Sequence, residues 1–126
     1  MTDLAITATQ STPAVHSSVA EGYLELRGDS YPENSFEFFS PIVQWIEAYL
    51  AESQAALRLE LYLLYLNTSS VKVVMDIFDL LEEAHGSGRE VGVSWYYDQE
   101  NERIAELAAD FKEDCTYPFD IVKQDT

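Results

Sequence analysis

Apolar residues recur along this chain with two periods, which predict β-strands and α-helices in alternation. Alternating or continuous apolar runs predict strands at 4–15, 22–28, 57–66, 90–97 and 116–122. Apolar residues at helical spacing predict helices at 34–53, at 71–86 and after residue 98. This order of strands and helices is typical of an α/β protein.

The central segment, residues 57–86, combines the strongest strand and helix patterns of the chain. From 61 to 66, side chains of both parities are apolar or aromatic, which predicts a strand buried on both faces of a parallel sheet. The helix that follows carries one apolar stripe, made of Val71, Val74, Met75, Ile77, Phe78 and Leu81. The strand is joined to this helix by a predicted polar turn of Asn67, Thr68, Ser69 and Ser70.

The ends of the predicted helices are marked by residues that cap helices. Asn34 with Glu37 predicts the start of the first helix, and Asp98 predicts the start of the third. His85 and Gly86 predict the end of the second. The core-facing stripe of the first helix is predicted to contain Phe36, Phe39, Val43, Ile46 and Leu50.

A chain of 126 residues corresponds to one domain, here residues 1–126 without an internal repeat or linker. Helices that follow strands require right-handed crossovers, so we expect a mostly parallel or mixed β-sheet with three main helices. Three helices are few for both faces of such a sheet. We therefore expect one face to be partly open or covered by the N-terminal arm.

The charge of the chain narrows its possible partners. There are 23 acidic residues against 7 basic ones, a net charge of −16, so nucleic acid and anionic membranes are poor partners. One cysteine excludes an internal disulfide. No signal peptide and no apolar run near 20 residues are found, which favours a cytoplasmic protein without direct membrane insertion.

Loops that leave the C-terminal ends of parallel strands gather along one edge of the sheet, where ligands tend to bind. Three loops are predicted to meet there, at 29–34, 67–70 and 98–101. Together they bring polar and aromatic side chains into one neighbourhood: Tyr31, Glu33, Asn34, Asn67, Thr68, Ser69, Ser70, Tyr97 and Asp98.

The three adjacent hydroxyls at 68–70 allow two interpretations. Ser and Thr at a helix start accept hydrogen bonds from free backbone N–H groups, so the hydroxyls fit a capping role. Three hydroxyls exceed what one cap needs, however, and a phosphate is tolerated at a helix N-terminus. Lys72 is the one cation in the first turn, so such a phosphate would stay exposed and act on a partner.

An enzyme is the alternative class of function. A small acidic enzyme would use Glu33, Asp98 and the hydroxyls, with a metal held by the two carboxylates as one variant. The sequence has no Gly-rich phosphate loop, no zinc-ligand spacing and no nucleophile elbow. We therefore predict no catalytic residue, no metal and no cofactor. A deep polar pocket at the loop edge would favour the enzyme, and a shallow surface there would favour a binding protein.

A hydroxyl cluster that opens the helix after a buried strand is similar to the phosphoacceptor site of STAS domains. The match is closer still to the SiaC family of bacterial regulatory phosphoproteins, over the segments GDSYPENSFEFF (28–39), LYLLYLNTSSVKVVMDIFDLLEEAH (61–85) and VSWYYDQENERIAELAADFKEDC (93–115). LNTSSVK is the most specific of them. The chain thus resembles this family over nearly its whole length, apart from the N-terminal arm, residues 51–57 and the tail.

The resemblance implies a single STAS-like domain that switches partners in a module controlling cyclic-di-GMP and biofilm formation. In that family the unmodified protein binds and activates a SiaD-type diguanylate cyclase. A SiaB-type protein kinase phosphorylates a threonine, which corresponds to Thr68 here, and a SiaA-type phosphatase of the PP2C class reverses this. The alternative is an anti-sigma factor antagonist with another client.

Overall fold

A computed structural model describes residues 1–124. The strands are β1 (Ala5–Ile6), β2 (Ala14–Ser18), β3 (Tyr23–Ser30), β4 (Leu57–Leu66), β5 (Val91–Asp98) and β6 (Phe119–Gln124). The helices are α1 (Ser35–Glu52), α2 (Thr68–Gly86) and α3 (Glu102–Glu113). The predicted class, an α/β protein with a mixed sheet and three main helices, is confirmed.

The six strands form one sheet in the order of the sequence, β1 to β6. The N-terminal arm supplies β1 and β2, which pair antiparallel with each other and with β3, whereas β3, β4, β5 and β6 are parallel. Because each right-handed crossover leads to the next neighbouring strand, all three helices lie on one face. The opposite face carries no helix and is open. This is the first of the two predicted arrangements, since the N-terminal arm joins the edge of the sheet and does not cover its face.

The core lies between the helices and one face of the sheet. In β4 the side chains of Leu57, Leu59, Leu61 and Leu63 are buried and alternate with exposed or half-buried ones, and Leu66 is buried at the end of the strand. The prediction that residues 61–66 are buried on both faces is therefore wrong. Leu64 and Tyr65 are both exposed, because the register with β3 shifts at this point and leaves Leu64 unpaired, and because this fold has no second layer of helices to cover the open face.

The open face of the sheet is ordered by stacked polar and aromatic side chains. The Arg27 guanidinium lies 3.7 Å from the ring centroid of Tyr62, and this ring stacks on Tyr96 at 4.5 Å. Burial acts to raise the pKa of Glu25, but hydrogen bonds from Arg27 and Tyr23 outweigh it and hold the pKa below its ordinary value. Side chains of the open face are thus stabilised by contacts with one another, without a second layer of helices.

The predicted apolar stripe is displaced in α1, whereas in α2 Val74, Ile77, Phe78 and Leu81 are buried as predicted. The buried face of α1 is made of Ser35, Phe39, Ile42, Trp45, Ile46 and Tyr49. Phe36, predicted to belong to the core, is 79% exposed, and Met75 of α2 is 46% exposed. Apolar residues cover more than one side of each helix, so periodicity alone does not tell which side packs on the sheet.

The helix starts were predicted in part. Asn34 caps α1 as expected, with its side chain accepting from the backbone N–H of Glu37. Asp98 does not cap α3, because β5 continues through it to pair with Gln124. Asn101 caps α3 in its place.

The second helix begins earlier than expected and ends at Gly86, where the predicted helix also ended. Thr68, Ser69 and Ser70, predicted as a turn, form the first turn of α2. Gly86 is the last helical residue rather than the cap, and the left-handed conformation belongs to Gly88, at φ 93°.

Gly22 occupies a position that requires glycine. Its φ is 65°, and a Cβ there would lie 2.6 Å from the Tyr49 hydroxyl and collide with the Ala56 carbonyl oxygen. We expect Gly22→Ala to lower the free energy of unfolding by about 2–4 kcal/mol, because strain and overlap add. Urea unfolding followed by circular dichroism measures this.

Gly86→Ala is the matched control for that substitution. A Cβ at Gly86 meets no atom within 4 Å, and its φ is not positive. The variant should be as stable as the parent or more stable by up to about 1 kcal/mol, since alanine is the better helix former. Equal stability of the two variants would contradict the assignment of strain to Gly22.

Candidate functional site

The candidate site lies at the junction between the end of β4 and the start of α2. The Asn67 side chain caps α2, because its Oδ1 accepts from the backbone N–H of Ser70 at 2.9 Å. The backbone N–H of Asn67 also donates to the Ser30 carbonyl oxygen at 2.9 Å, which ties the junction to the end of β3. The helix is therefore capped by Asn67, the residue before the three hydroxyls, and the prediction that these hydroxyls cap α2 is wrong.

Four serines link α2 to β3 and α1 through their hydroxyls, and we call them the serine network: Ser30, Ser35, Ser69 and Ser70. The Ser70 Oγ lies 2.8 Å from the Ser30 Oγ and 3.3 Å from the Ser35 Oγ. The Ser35 Oγ lies 2.6 Å from the Ser69 Oγ, which donates to the Asn67 Oδ1 at 3.2 Å. One direction of donation, from Ser30 to Asn67, satisfies every hydroxyl of the network.

Thr68 differs from the two serines that follow it. Ser70 is buried, whereas Thr68 and Ser69 are both exposed; the Ser69 hydroxyl is nevertheless hydrogen-bonded to Ser35 and Asn67. None of the side-chain hydrogen bonds at this junction, within residues 1–124, involves the Thr68 hydroxyl. As the first residue of α2 it stands at the positive end of the helix dipole.

The remaining predicted neighbours lie on different sides of this junction. Lys72 is exposed one turn after Thr68, and its Nζ is 3.9 Å from the Asp76 Oδ2. Tyr31 is exposed and packs edge-to-face against Tyr65, with 6.1 Å between ring centroids. The β3–α1 loop and α2 are joined directly, because the Asn67 Nδ2 lies 3.5 Å from the Pro32 carbonyl oxygen.

The two carboxylates of the enzyme alternative are not brought together. Glu33 is exposed in the loop after β3, and the Asp98 Oδ1 accepts from the backbone N–H of Glu100 at the end of β5. Strand β4 lies between β3 and β5, so the carboxylates leave strands about 10 Å apart. In the described part of the chain no three His, Cys, Asp or Glu side chains are grouped as metal ligands.

Sequence reasoning missed part of this site. Ser30 and Ser35 were treated as loop and helix residues, and no local pattern distinguishes a buried serine from an exposed one. Leu64 and Tyr65 were assigned to a buried strand, although they are 49% and 47% exposed. Their position near the C-terminal end of β4 could have indicated exposure, since strand ends at the loop edge are covered less by the helices.

An open apolar groove lies beside the junction, on the side of α3, and we call it the Arg103 groove. It has a volume of about 300 Å³ and its lining includes Leu64, Tyr65, Leu66, Val71, Arg103 and Ile104. A second groove, between α1 and α2, has about 330 Å³ and is lined by Phe36, Val43, Val73, Glu47 and Asp76, among others. Both are lined mostly by apolar atoms.

Comparison with known proteins identifies the family. The model of the SiaC family of regulatory phosphoproteins matches residues 6–124. The chain belongs to this family. A curated protein of Pseudomonas aeruginosa (strain UCBPP-PA14) is 56% identical over 125 residues, which cover 99% of both chains.

Solved structures of SiaC agree with this assignment. SiaC of P. aeruginosa is 54% identical, with a TM-score of 0.93 over 98% of this chain and 100% of that one. SiaC bound as activator to the diguanylate cyclase SiaD of P. aeruginosa is 56% identical, with a TM-score of 0.94 over 97% and 100%. Within residues 1–124, every helix is too short or too polar to traverse a bilayer.

The serine network predicts different effects for neighbouring hydroxyls. Ser70→Ala removes the buried partner of Ser30 and should lower the free energy of unfolding by about 1–3 kcal/mol. Thr68→Ala removes an exposed hydroxyl and should change it by less than about 0.5 kcal/mol. Urea unfolding of both variants tests this, and a loss at Thr68 as large as that at Ser70 would contradict it.

Proposed function

We propose that this member of the SiaC family is a non-enzymatic regulatory protein that binds and activates a diguanylate cyclase while it is unphosphorylated. A SiaB-type kinase phosphorylates Thr68 and blocks the binding, and a SiaA-type PP2C phosphatase restores it. The switch acts in the cytoplasm on cyclic-di-GMP and thereby on biofilm formation. The family's description as regulatory phosphoproteins and the complex of its relative SiaC with SiaD support this proposal.

The single observation that carries the choice of acceptor is the difference between three adjacent hydroxyls. Ser70 is enclosed by Ser30 and Ser35, so a kinase reaches it only after local unfolding. Ser69 is engaged on two sides. Thr68 remains, exposed at the start of α2, and this supports it as the phosphoacceptor.

The effect of a phosphate follows from its charge. Phosphorylation adds about −1.5 to −2 charges, and a net charge of −16 offers few cations to neutralise them. Burying this dianion under a partner without matched cations costs several kcal/mol, and about 3 kcal/mol weakens binding roughly 100-fold. The helix dipole stabilises the phosphate by about 0.3–1 kcal/mol in the free protein, so the modified form stays folded.

Thr68→Ala should bind the cyclase as the parent does but escape inhibition by the kinase, because the acceptor is absent and the fold is intact. We would incubate parent and variant with ATP and the SiaB-type kinase, count phosphates by mass spectrometry and measure binding to SiaD by calorimetry. Ser69→Ala is the control and should still be phosphorylated and released. Thr68→Asp and Thr68→Glu should weaken binding only partly, since they carry one charge.

Two outcomes would contradict the proposal. The first is a phosphate that appears on Thr68→Ala as it does on the parent, which would place the acceptor elsewhere. The second is a Thr68→Ala variant that loses binding to SiaD together with its thermal stability, which would make Thr68 a structural residue.

A further inference from the structure

We propose that the outer edge of β6, together with the flank of α3 beside it, binds an extended segment of a partner protein that carries basic residues at alternate positions. The segment adds to the sheet as a seventh strand. This surface lies at the edge of the sheet opposite to the N-terminal arm, and its use does not depend on a phosphate at the start of α2.

The main chain of β6 is available on one side. Among residues 1–124, β6 pairs with β5 alone, because it is the last strand in the order of the sheet. The Val93 N–H donates to the Pro118 carbonyl oxygen at 3.0 Å, so in this parallel ladder the even-numbered residues of β6 bond to β5. The N–H and C=O groups of Phe119, Ile121 and Lys123 therefore point away from the sheet. Such a row of unpaired donors and acceptors is a template for another strand.

The other edge of the sheet is a poorer template. Strand β1 has only two residues, Ala5 and Ile6, whereas β6 has six. An added strand forms more main-chain hydrogen bonds on the longer edge. The described sheet therefore offers β6 as its main free edge.

A groove lies beside this edge, between α3 and the C-terminal end of β6. It has a volume of about 400 Å³, and its lining includes Tyr97, Ala105, Ala109 and Lys123. The two alanines are small, and they leave space along the flank of the helix. Side chains of an added strand alternate between the two faces of the sheet, so every second one points towards this flank.

The charge of the flank selects the occupant. Glu102 and Glu106 are exposed on α3, one turn apart, and Lys123 is the one cation that lines the groove within residues 1–124. Four residues rise about 6 Å along a helix, and two residues rise about 6.7 Å along a strand. Basic side chains at alternate positions therefore meet the two carboxylates in turn, and the net charge of −16 favours their approach.

A second copy of this chain fits the same edge less well. Pairing of two β6 strands brings the two α3 flanks together, so that each presents Glu102 and Glu106 to the other. Like charges across a contact disfavour it, and each copy carries a net charge of −16. The occupant is therefore a basic segment of another protein.

The test measures binding of a fluorescently labelled peptide of alternating lysine and valine by fluorescence anisotropy. Lys123→Ala and Lys123→Pro remove the same charge, but only proline removes the outward N–H and obstructs the edge. Lys123→Ala should bind the peptide within about twofold of the parent. Lys123→Pro should bind it about tenfold more weakly or worse, because the main-chain ladder is interrupted.

A second probe keeps the test independent of the folding of Lys123→Pro, which circular dichroism checks. The same peptide N-methylated at every residue keeps its side chains and charges but donates no main-chain hydrogen bond. It should bind the parent about tenfold more weakly than the unmethylated peptide.

The charge of the flank is tested with two double variants that change net charge equally. Glu102→Gln with Glu106→Gln should weaken binding by about fivefold or more, because both facing carboxylates are lost. Glu47→Gln with Glu52→Gln, exposed on α1, should change it by about twofold or less.

Three results would overturn the inference. The first is a parent protein that does not bind the unmethylated peptide. The second is an N-methylated peptide that binds as tightly as the unmethylated one, which would show that the strand edge is not used. The third is an α1 double variant that weakens binding as much as the α3 one, which would reduce the contact to general attraction by an acidic chain.

Discussion

The hydrogen-bonded junction between β3, α1 and α2 is the constraint on which the site depends. Ser70 is buried at the start of α2, and its hydroxyl is satisfied only because Ser30 and Ser35 arrive from two other elements. A buried hydroxyl without a partner costs free energy, so the three elements keep a fixed relation. Thr68, which precedes this anchored turn, is thereby held at the surface of a rigid helix end.

The one-sided layering of the fold makes this edge distinctive. All three helices follow parallel strands and begin at the same edge of the sheet, so their positive dipole ends gather there on a chain of net charge −16. The same layering leaves Leu64 and Tyr65 uncovered. An exposed apolar surface thus adjoins the exposed hydroxyl of Thr68 at the start of α2.

The errors of sequence-based prediction share a cause. The alternation of strands and helices, the three helices and the position of the loop edge were predicted correctly, because each depends on local periodicity and on the handedness of crossovers. Burial was predicted wrongly at Phe36, Leu64 and Met75. The sequence pattern is the same for an apolar side chain in the core and for one exposed at the surface.

The sequence by itself determined the elements, the acidic charge and the short polar segment at 67–70, since these depend on residues close along the chain. It did not distinguish the three hydroxyls of that segment. Only the tertiary structure decided that Ser70 is enclosed, that Ser69 is engaged and that Thr68 is free, because Ser30 and Ser35 lie more than 30 residues away along the chain. Contacts between such distant residues leave no local pattern, so exposure is settled by folding.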